Sequence, residues 1–180
     1  MTAPGFALFD TAIGRCAIAW GARGIVSLRL PEADEDATRA RVLRRFPEAR
    51  EGLPPPDAVQ AADEVRRLLD GEPRDLTAIT LDMTGVPAFH RRVYELARSI
   101  RPGETLTYGE VAARLGDPGL SRAVGQALGR NPFAIIVPCH RVLAIGGKSG
   151  GFSAAGGVAT KRRLLEIEGA RGLDPTLPGL

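Results

Sequence analysis

Cys139 stands in the box Pro138-Cys139-His140-Arg141-Val142, at the end of the apolar run Phe133-Ala134-Ile135-Ile136-Val137. A cysteine between a rigid proline and a histidine, just past a predicted buried strand, sits where a backbone can fix a thiolate, the reactive form of the residue. His140 and Arg141 are expected to lower the thiol pKa and so ready it as a nucleophile. Asn131-Pro132 precedes the box, and a glycine-rich segment, 146–157, follows it. A cysteine hydrolase is disfavoured, because a histidine adjacent in sequence is awkwardly placed to touch the sulfur directly. Taken alone, such a pair is more often a buried and inert cysteine. The surrounding motifs decide between the two.

The elements that must position this box fall in the second half of the chain. Thr84-Gly85-Val86-Pro87 reads as a break, and Pro87 suits the first turn of a helix running to about Ser99, with Phe89, Val93, Leu96, Ala97 and Ile100 as its buried stripe. Thr105 to Tyr108 leads into a short helix, Gly109 to Leu115, closed by Gly116. After Asp117-Pro118-Gly119 a second short helix runs from about Leu120 to Gly129. Two short helices joined by a tight Gly/Pro turn form a helix-turn-helix candidate. The second helix is unusual in its small residues, Ser121, Ala123, Gly125, Ala127 and Gly129, with Arg122 its only cation before Arg130. A helix that reads bases in the major groove carries several Arg, Asn or Gln side chains, and this one does not. It suits close approach to a narrow surface with one long side chain projecting, as in minor-groove insertion and a wedge into the base stack.

The first half reads as an α+β module. Phe6 to Thr11, Ile13 to Trp20 and Gly24 to Leu30 are three strands, joined by tight turns. A helix from about Asp34 to Phe46 follows, then a linker, Glu51 to Pro56. Asp57 is read as the cap of a helix from Ala58 to Leu69, and Leu76 to Leu81 as a further strand. Cys16 is a strand-packing residue in this reading. The domains expected are 1–84 (α+β), 85–172 (carrying the cysteine box and helix-turn-helix) and a tail, 173–180.

Bulk properties narrow the classes. The 180 residues are 44% hydrophobic and 25% charged, suited to an ordinary core and a soluble surface. No apolar stretch approaches the ~20 residues of a membrane span, and Met1 to Gly5 lacks the basic-then-apolar pattern of a signal peptide. Two cysteines give neither a disulfide framework nor a zinc cluster, so no metal is expected and a reducing cytoplasm is. The net charge of residues 1–89 is −3 and that of 90–180 is +6. The basic surface therefore accompanies the cysteine box, favouring a polyanionic partner for that half, although a solvated basic face has the same signature.

Thr107-Tyr108-Gly109-Glu110-Val111-Ala112, Ser121-Arg122-Ala123-Val124-Gly125, Gly129-Arg130-Asn131-Pro132 and the cysteine box occur in that order. Together, over roughly Pro87 to Gly169, they resemble the O6-alkylguanine-DNA alkyltransferases. The resemblance implies a ribonuclease-H-like N-terminal module followed by a mostly helical, winged-helix-like domain with the helix-turn-helix. It also implies single-turnover, irreversible transfer of an alkyl group from O6 of a flipped guanine in double-stranded DNA to Cys139, without a cofactor, with O4 of thymine as a further target left open. A monomer bound in the minor groove is expected. In the family's pattern His140 acts as the water-linked base, Glu168 orients it, and Tyr108 rotates the adjacent phosphate and donates a proton toward the leaving guanine. Arg122 replaces the flipped nucleotide, and Ser121, Ala123, Gly125 and Arg130 complete the DNA-binding set. Asn131, Pro138, Val142, Phe152 and Ser153 form the pocket, with backbone groups at Cys139, Val142 and Ser153 reading the guanine edges. Glu166 competes with Glu168, and Lys161 fits either a site position or a solvated helix. Many members read Tyr-Ser-Gly-Gly where this chain has Phe152-Ser153-Ala154-Ala155-Gly156-Gly157, which bears on substrate range. With one acceptor cysteine, phosphotriester repair and transcriptional activation are not expected. The alternative within the same fold is a damage-binding protein that does not transfer.

Overall fold

A computed structural model describes residues 5–148 and 151–171. The residues behind the signal-peptide reading, except Gly5, and the expected tail at 173–180 lie outside them. Two compact units form: one comprises the described residues up to Thr84 with Pro132–Ile136, the other Gly85–Asn131 with the described residues from Val137.

The first unit is built on strands β1 (Gly5–Thr11), β2 (Gly14–Gly21), β3 (Gly24–Arg29) and β4 (Arg50–Glu51), in the order β3-β2-β1-β4. β1, β2 and β3 are antiparallel neighbours, and β4 joins β1 in parallel. β4 and the bond from Gly52 N to Phe6 O bring the start of the expected linker into the sheet. Cys16, Ala17, Ile18 and Ala19 of β2 are all buried, so both faces of this central strand are covered, which is why it reads as a continuous apolar run. Helix α1 (Glu35–Arg45) packs Val42 against Phe6, Ala17 and Ala19, and Asp34 caps it by accepting from Ala37 N at 2.7 Å. Helix α2 (Pro56–Leu69) buries Ala58, Ala61, Ala62, Val65, Leu68 and Leu69. Asp57 lies inside its first turn rather than capping it, because proline already supplies the fixed φ that starts the helix.

Two expected strands are corrected. Leu76–Leu81 is a turn with a single bridge, Ile25 to Leu81. Asp75 accepts from Thr77 N at 2.9 Å and Leu76 O from Ile79 N at 3.2 Å, so local bonding takes the groups a ladder would use. What remains is the exchange of Ile25 with Thr80 and Asp82. There Gly24 (φ +127°) lies so close that a Cβ would sit 2.6 Å from Thr80 O. Phe133–Val137 forms isolated bridges, Leu28 to Phe133 among them, around a turn at Ile135 and Ile136. Ile135 has φ +69°, and Ile136 N donates to Ala134 O at 2.8 Å, an i→i+2 turn that no strand contains.

In the second unit α3 (Ala88–Arg98) buries Val93, Tyr94 and Ala97, and the Tyr94 hydroxyl donates to Ala127 O at 2.9 Å. That bond ties α3 to α5 (Ser121–Gly129). α4 (Tyr108–Arg114) starts in a capping box: Glu110 N donates to Thr107 Oγ1 at 3.1 Å, and Thr107 N to Glu110 Oε2 at 2.6 Å. A 3₁₀ turn, Pro118–Leu120, with Asp117 accepting from Gly119 N, joins α4 to α5. β5 (Leu106–Thr107) and β6 (Val142–Leu143) pair in parallel, and α6 (Gly157–Ile167) buries Lys161, Leu164 and Leu165.

Candidate functional site

Backbone fixes the thiol-bearing turn before any side chain acts. Pro138 has φ −80° and ψ 67°, and Cys139 N donates to Val137 O at 2.8 Å, which is an inverse γ-turn. A single 3₁₀ turn, Cys139–Arg141, continues into β6. Because β6 pairs with β5, the segment leading to Tyr108 is stitched to the segment leaving Cys139, with Leu106 opposite Val142. Asn131 braces the turn from the end of α5. Its Nδ2 donates to Val137 O at 2.8 Å, and its side chain also hydrogen-bonds the Cys139 sulfur.

Behind the thiol is a buried ionic cluster. Glu168 Oε1 accepts from His140 Nε2 at 2.8 Å and from Arg141 Nη2 at 2.8 Å, and Glu168 Oε2 accepts from Arg141 Nε at 2.9 Å. Arg141 Nη1 donates to Ile100 O at 2.5 Å, so the fork is filled on both sides. Gly103 (φ +82°) lets the preceding loop close over this cluster, since a Cβ there would sit 3.0 Å from Glu168 O. Glu166, its rival in the sequence, pairs with Arg162 on the outer face of α6.

The charges follow from this arrangement. Burial alone would raise the Glu168 carboxyl, but the charge and hydrogen bond of His140 and the Arg141 fork outweigh it and hold the carboxyl at about 2. Burial lowers the His140 pKa, with Glu168 opposing, so the imidazole is neutral at pH 7. The carboxylate assigns the proton to Nε2, leaving a lone pair on Nδ1, which is buried and has no hydrogen-bond partner among the described residues. Burial pushes the Cys139 thiol up; the Asn131 hydrogen bond, the Lys161 charge and the backbone groups of Cys139 and His140 pull it back without overcoming burial. The expected lowering by the His140 and Arg141 side chains is thus corrected: both are committed to Glu168. The resting group is the thiol, which needs a base.

This electrostatic arrangement has a pH consequence. Glu168 binds a proton in the unfolded chain near 4.3 but not in the folded one until about 2, so its stabilisation is complete above that window and lost as pH falls through it. Neutral buried His140 adds a loss that begins below about 6.5. The urea midpoint should therefore fall steadily from pH 7 to 3. A midpoint that stays flat from pH 5 to 3 would contradict the buried cluster.

Lys161 is buried, not solvated. Its Nζ donates to Val142 O at 2.6 Å and lies 5.8 Å from the Tyr108 ring centroid. Burial draws its pKa down to about 8, with the Cys139 charge opposing. Burial and then the Cys139 charge push the Tyr108 phenol up. Cys139 opens onto a cavity of about 740 Å³, within the usual range for a small-molecule site, walled by Tyr108, Ser121, Arg122, Gly125, Phe152 and Ser153. Ser153 is fixed there by donating to Gly129 O at 3.2 Å. Asn131, Pro138 and Val142 stand behind the cysteine rather than on the wall, and Ala123 and Arg130 lie on α5 and its C-cap away from it. Gln126 also lines the cavity; its spacing, four residues after Arg122 on one helix, was the available signal. The pairing of Arg141 with Glu168 leaves no local signal in the sequence, because the two are 27 residues apart.

An α+β frame that sets a buried cysteine–histidine–glutamate array beside a helix pair, with an arginine on the same cavity, defines a thiol group-transfer protein equipped to meet a large substrate. Known proteins agree. The family described as 6-O-methylguanine DNA methyltransferase, DNA binding domain, matches residues 88–170. The methylated-DNA–protein-cysteine methyltransferase of Methanothermobacter thermautotrophicus is 38% identical over 152 residues, 84% of this chain and 78% of that protein. The crystal structure of Mycobacterium tuberculosis OGT in complex with DNA superposes with a TM-score of 0.74 at 34% identity, covering 94% of this chain and 95% of that one. The O6-methylguanine-DNA methyltransferase of Pyrococcus kodakaraensis gives 0.72 at 27% identity, covering 92% and 99%. The chain belongs to the methylated-DNA–protein-cysteine methyltransferase family.

Proposed function

We propose that this protein repairs DNA by a single, irreversible transfer of an alkyl group from O6 of guanine in duplex DNA to Cys139. The observation that carries the reading is His140 Nδ1, buried and without a hydrogen-bond partner among the described residues, on the residue that follows a thiol opening onto the Tyr108–Arg122 cavity. A flipped guanine occupies the cavity, and Arg122 fills the gap left in the stack. His140 Nδ1 takes the thiol proton through a water, and the sulfur attacks the alkyl carbon as the C–O6 bond breaks. Tyr108 gives a proton to the departing guanine and is reprotonated from His140, so atoms and charge balance. The product is a thioether with no remaining nucleophile, which ends the protein's turnover.

The finer fold assignment belongs to the same reading. A sheet ordered β3-β2-β1-β4 with β4 parallel supports a ribonuclease-H-like module, and α4–α5 with the β5–β6 pair supports a winged-helix-like one. Small residues on α5 support a minor-groove approach: a Cβ at Gly129 would meet nothing within 4 Å. Cys16 and Cys139 as free thiols support a reducing cytoplasm.

Intact mass after incubation with a duplex carrying one O6-methylguanine tests the reading. One added methyl on Cys139, saturating at one per protein, is expected. Tight binding without a mass change would make the chain a damage sensor instead. Arg122→Ala should slow transfer from duplex about 10- to 100-fold, the scale of an uncompensated unstacking cost, while leaving reaction with the free base O6-methylguanine near wild type. Equal losses on both substrates would remove the wedge role.

A further inference from the structure

We propose that Arg29, Arg41, Arg44 and Arg45 form a phosphate-backbone site for duplex DNA on the first unit, separate from the helix pair. Arg29 ends β3, and Arg41, Arg44 and Arg45 occupy i, i+3 and i+4 positions on the last turns of α1, which packs on β2 and β3. Most other arginines of this unit, Arg50 on β4 apart, are matched with carboxylates. Arg15 meets Asp10 and Glu35, Arg39 meets Glu35, Asp36 and Glu51, Arg66 and Arg67 meet Asp63, and Arg74 meets Glu64. In the cluster only Arg41 has such a partner, Glu32, at 3.7 Å. Among the described residues no carboxylate pairs with Arg29, Arg44 or Arg45; Arg45 lies against the Phe46 ring, 5.6 Å from its centroid. Arg29 Nε is buried with no hydrogen-bond partner among the described residues.

The electrostatics agree with this geometry. Burial, then the charges of Arg41 and Arg45, with Arg44 adding, draw the Arg29 guanidinium down to about 10, and Glu32 opposes too weakly to restore it. At neutral pH Arg29 is still charged. Four like charges held together with one carboxylate, Glu32, beside them oppose folding, and the natural relief is a polyanion from outside. Guanidinium forks on the exposed end of a helix match the oxygens of a phosphate backbone. No base-reading residue accompanies them, so the contact is sequence-independent. That suits a protein that must search undamaged DNA; in this respect the proposal rests on the repair reading.

The test is the salt dependence of binding of the full-length protein to an undamaged 30-base-pair duplex. Loss of two phosphate contacts in R44Q/R45Q should lower the magnitude of the log Kobs–log[salt] slope by about 1.8, roughly a tenfold smaller loss of affinity between 50 and 200 mM salt. R66Q/R67Q removes the same charge from the same unit at positions already paired with Asp63, and should leave the slope near wild type. A slope in R44Q/R45Q equal to wild type, or to that of R66Q/R67Q, overturns the proposal; the cluster would then be open to an acidic protein surface instead. Methyl transfer by the wild-type protein, measured by mass on a short lesion duplex, reports separately on the repair reading. Its failure leaves the slope comparison intact.

Discussion

Glu168→Ala is expected to lower stability by roughly 3–5 kcal/mol and to reduce the transfer rate at least 100-fold, because one carboxylate serves two buried partners. The Glu168 side chain is 3% exposed and those of His140 and Arg141 are 1% and 5%, so neither partner can turn to water when it is removed. Arg141 would keep only Ile100 O and would hold an uncompensated charge in the interior. His140 would lose the acceptor that assigns its proton to Nε2, and the Nδ1 lone pair with it. Two readouts separate these effects. Thermal unfolding should fall by about 6–20 °C, and the single-turnover rate, measured well below the lowered midpoint, should still be depressed. Glu168→Gln keeps the volume and one acceptor oxygen, so it should recover part of the stability while leaving the rate low. A Glu168→Gln variant with wild-type rate would show that the carboxylate only supports packing, and the base assignment to His140 would fail with it.

The sequence displayed its local chemistry more clearly than its distant partnerships. Asp34 before α1, the Thr107–Glu110 capping box and the glycine and proline between α4 and α5 act over three or four residues, and each marks its element. The cysteine box was legible because Pro138 and Asn131 act on the same short turn. Errors came where pattern met backbone detail. The apolar run before Pro138 reads as a strand by composition, yet Ile135 takes a left-handed φ that composition does not encode. Leu76–Leu81 alternates correctly, but Asp75 and the turn at Leu76–Ile79 outcompete the ladder. The sign of the Cys139 shift differs from the sequence expectation for a related reason. Adjacency suggests that His140 and Arg141 serve the thiol, but their side chains bind a carboxylate 28 and 27 residues further on. Lys161 was ambiguous because helical periodicity reports which face is buried only when the residue type agrees, and a lysine bonded to Val142 O contradicts its type.

The second large effect discriminates between the two cysteines. Cys139→Ser should abolish transfer, with a rate loss of more than about 10⁴-fold, while binding to lesion duplex persists. Oxygen preserves the hydrogen-bonding of the site, so the loss isolates the nucleophile: a hydroxyl is a harder, far less acidic group and displaces an alkoxy leaving group from an sp³ carbon poorly. Cys16 cannot stand in. It is fully buried in β2, its thiol lies 3.7 Å from Thr11 Oγ1, and burial pushes it up to about 12 against that weak contact. Cys16→Ala should therefore transfer at close to the wild-type rate, with at most a modest loss of stability from the small cavity it opens. The paired experiment is peptide mapping of the methylated residue in both variants and the wild type. A methyl group found on Cys16, or retained by Cys139→Ser at any position, would mean that burial and charge had been read the wrong way round. The Nδ1 lone pair of His140 would then have no thiol to serve.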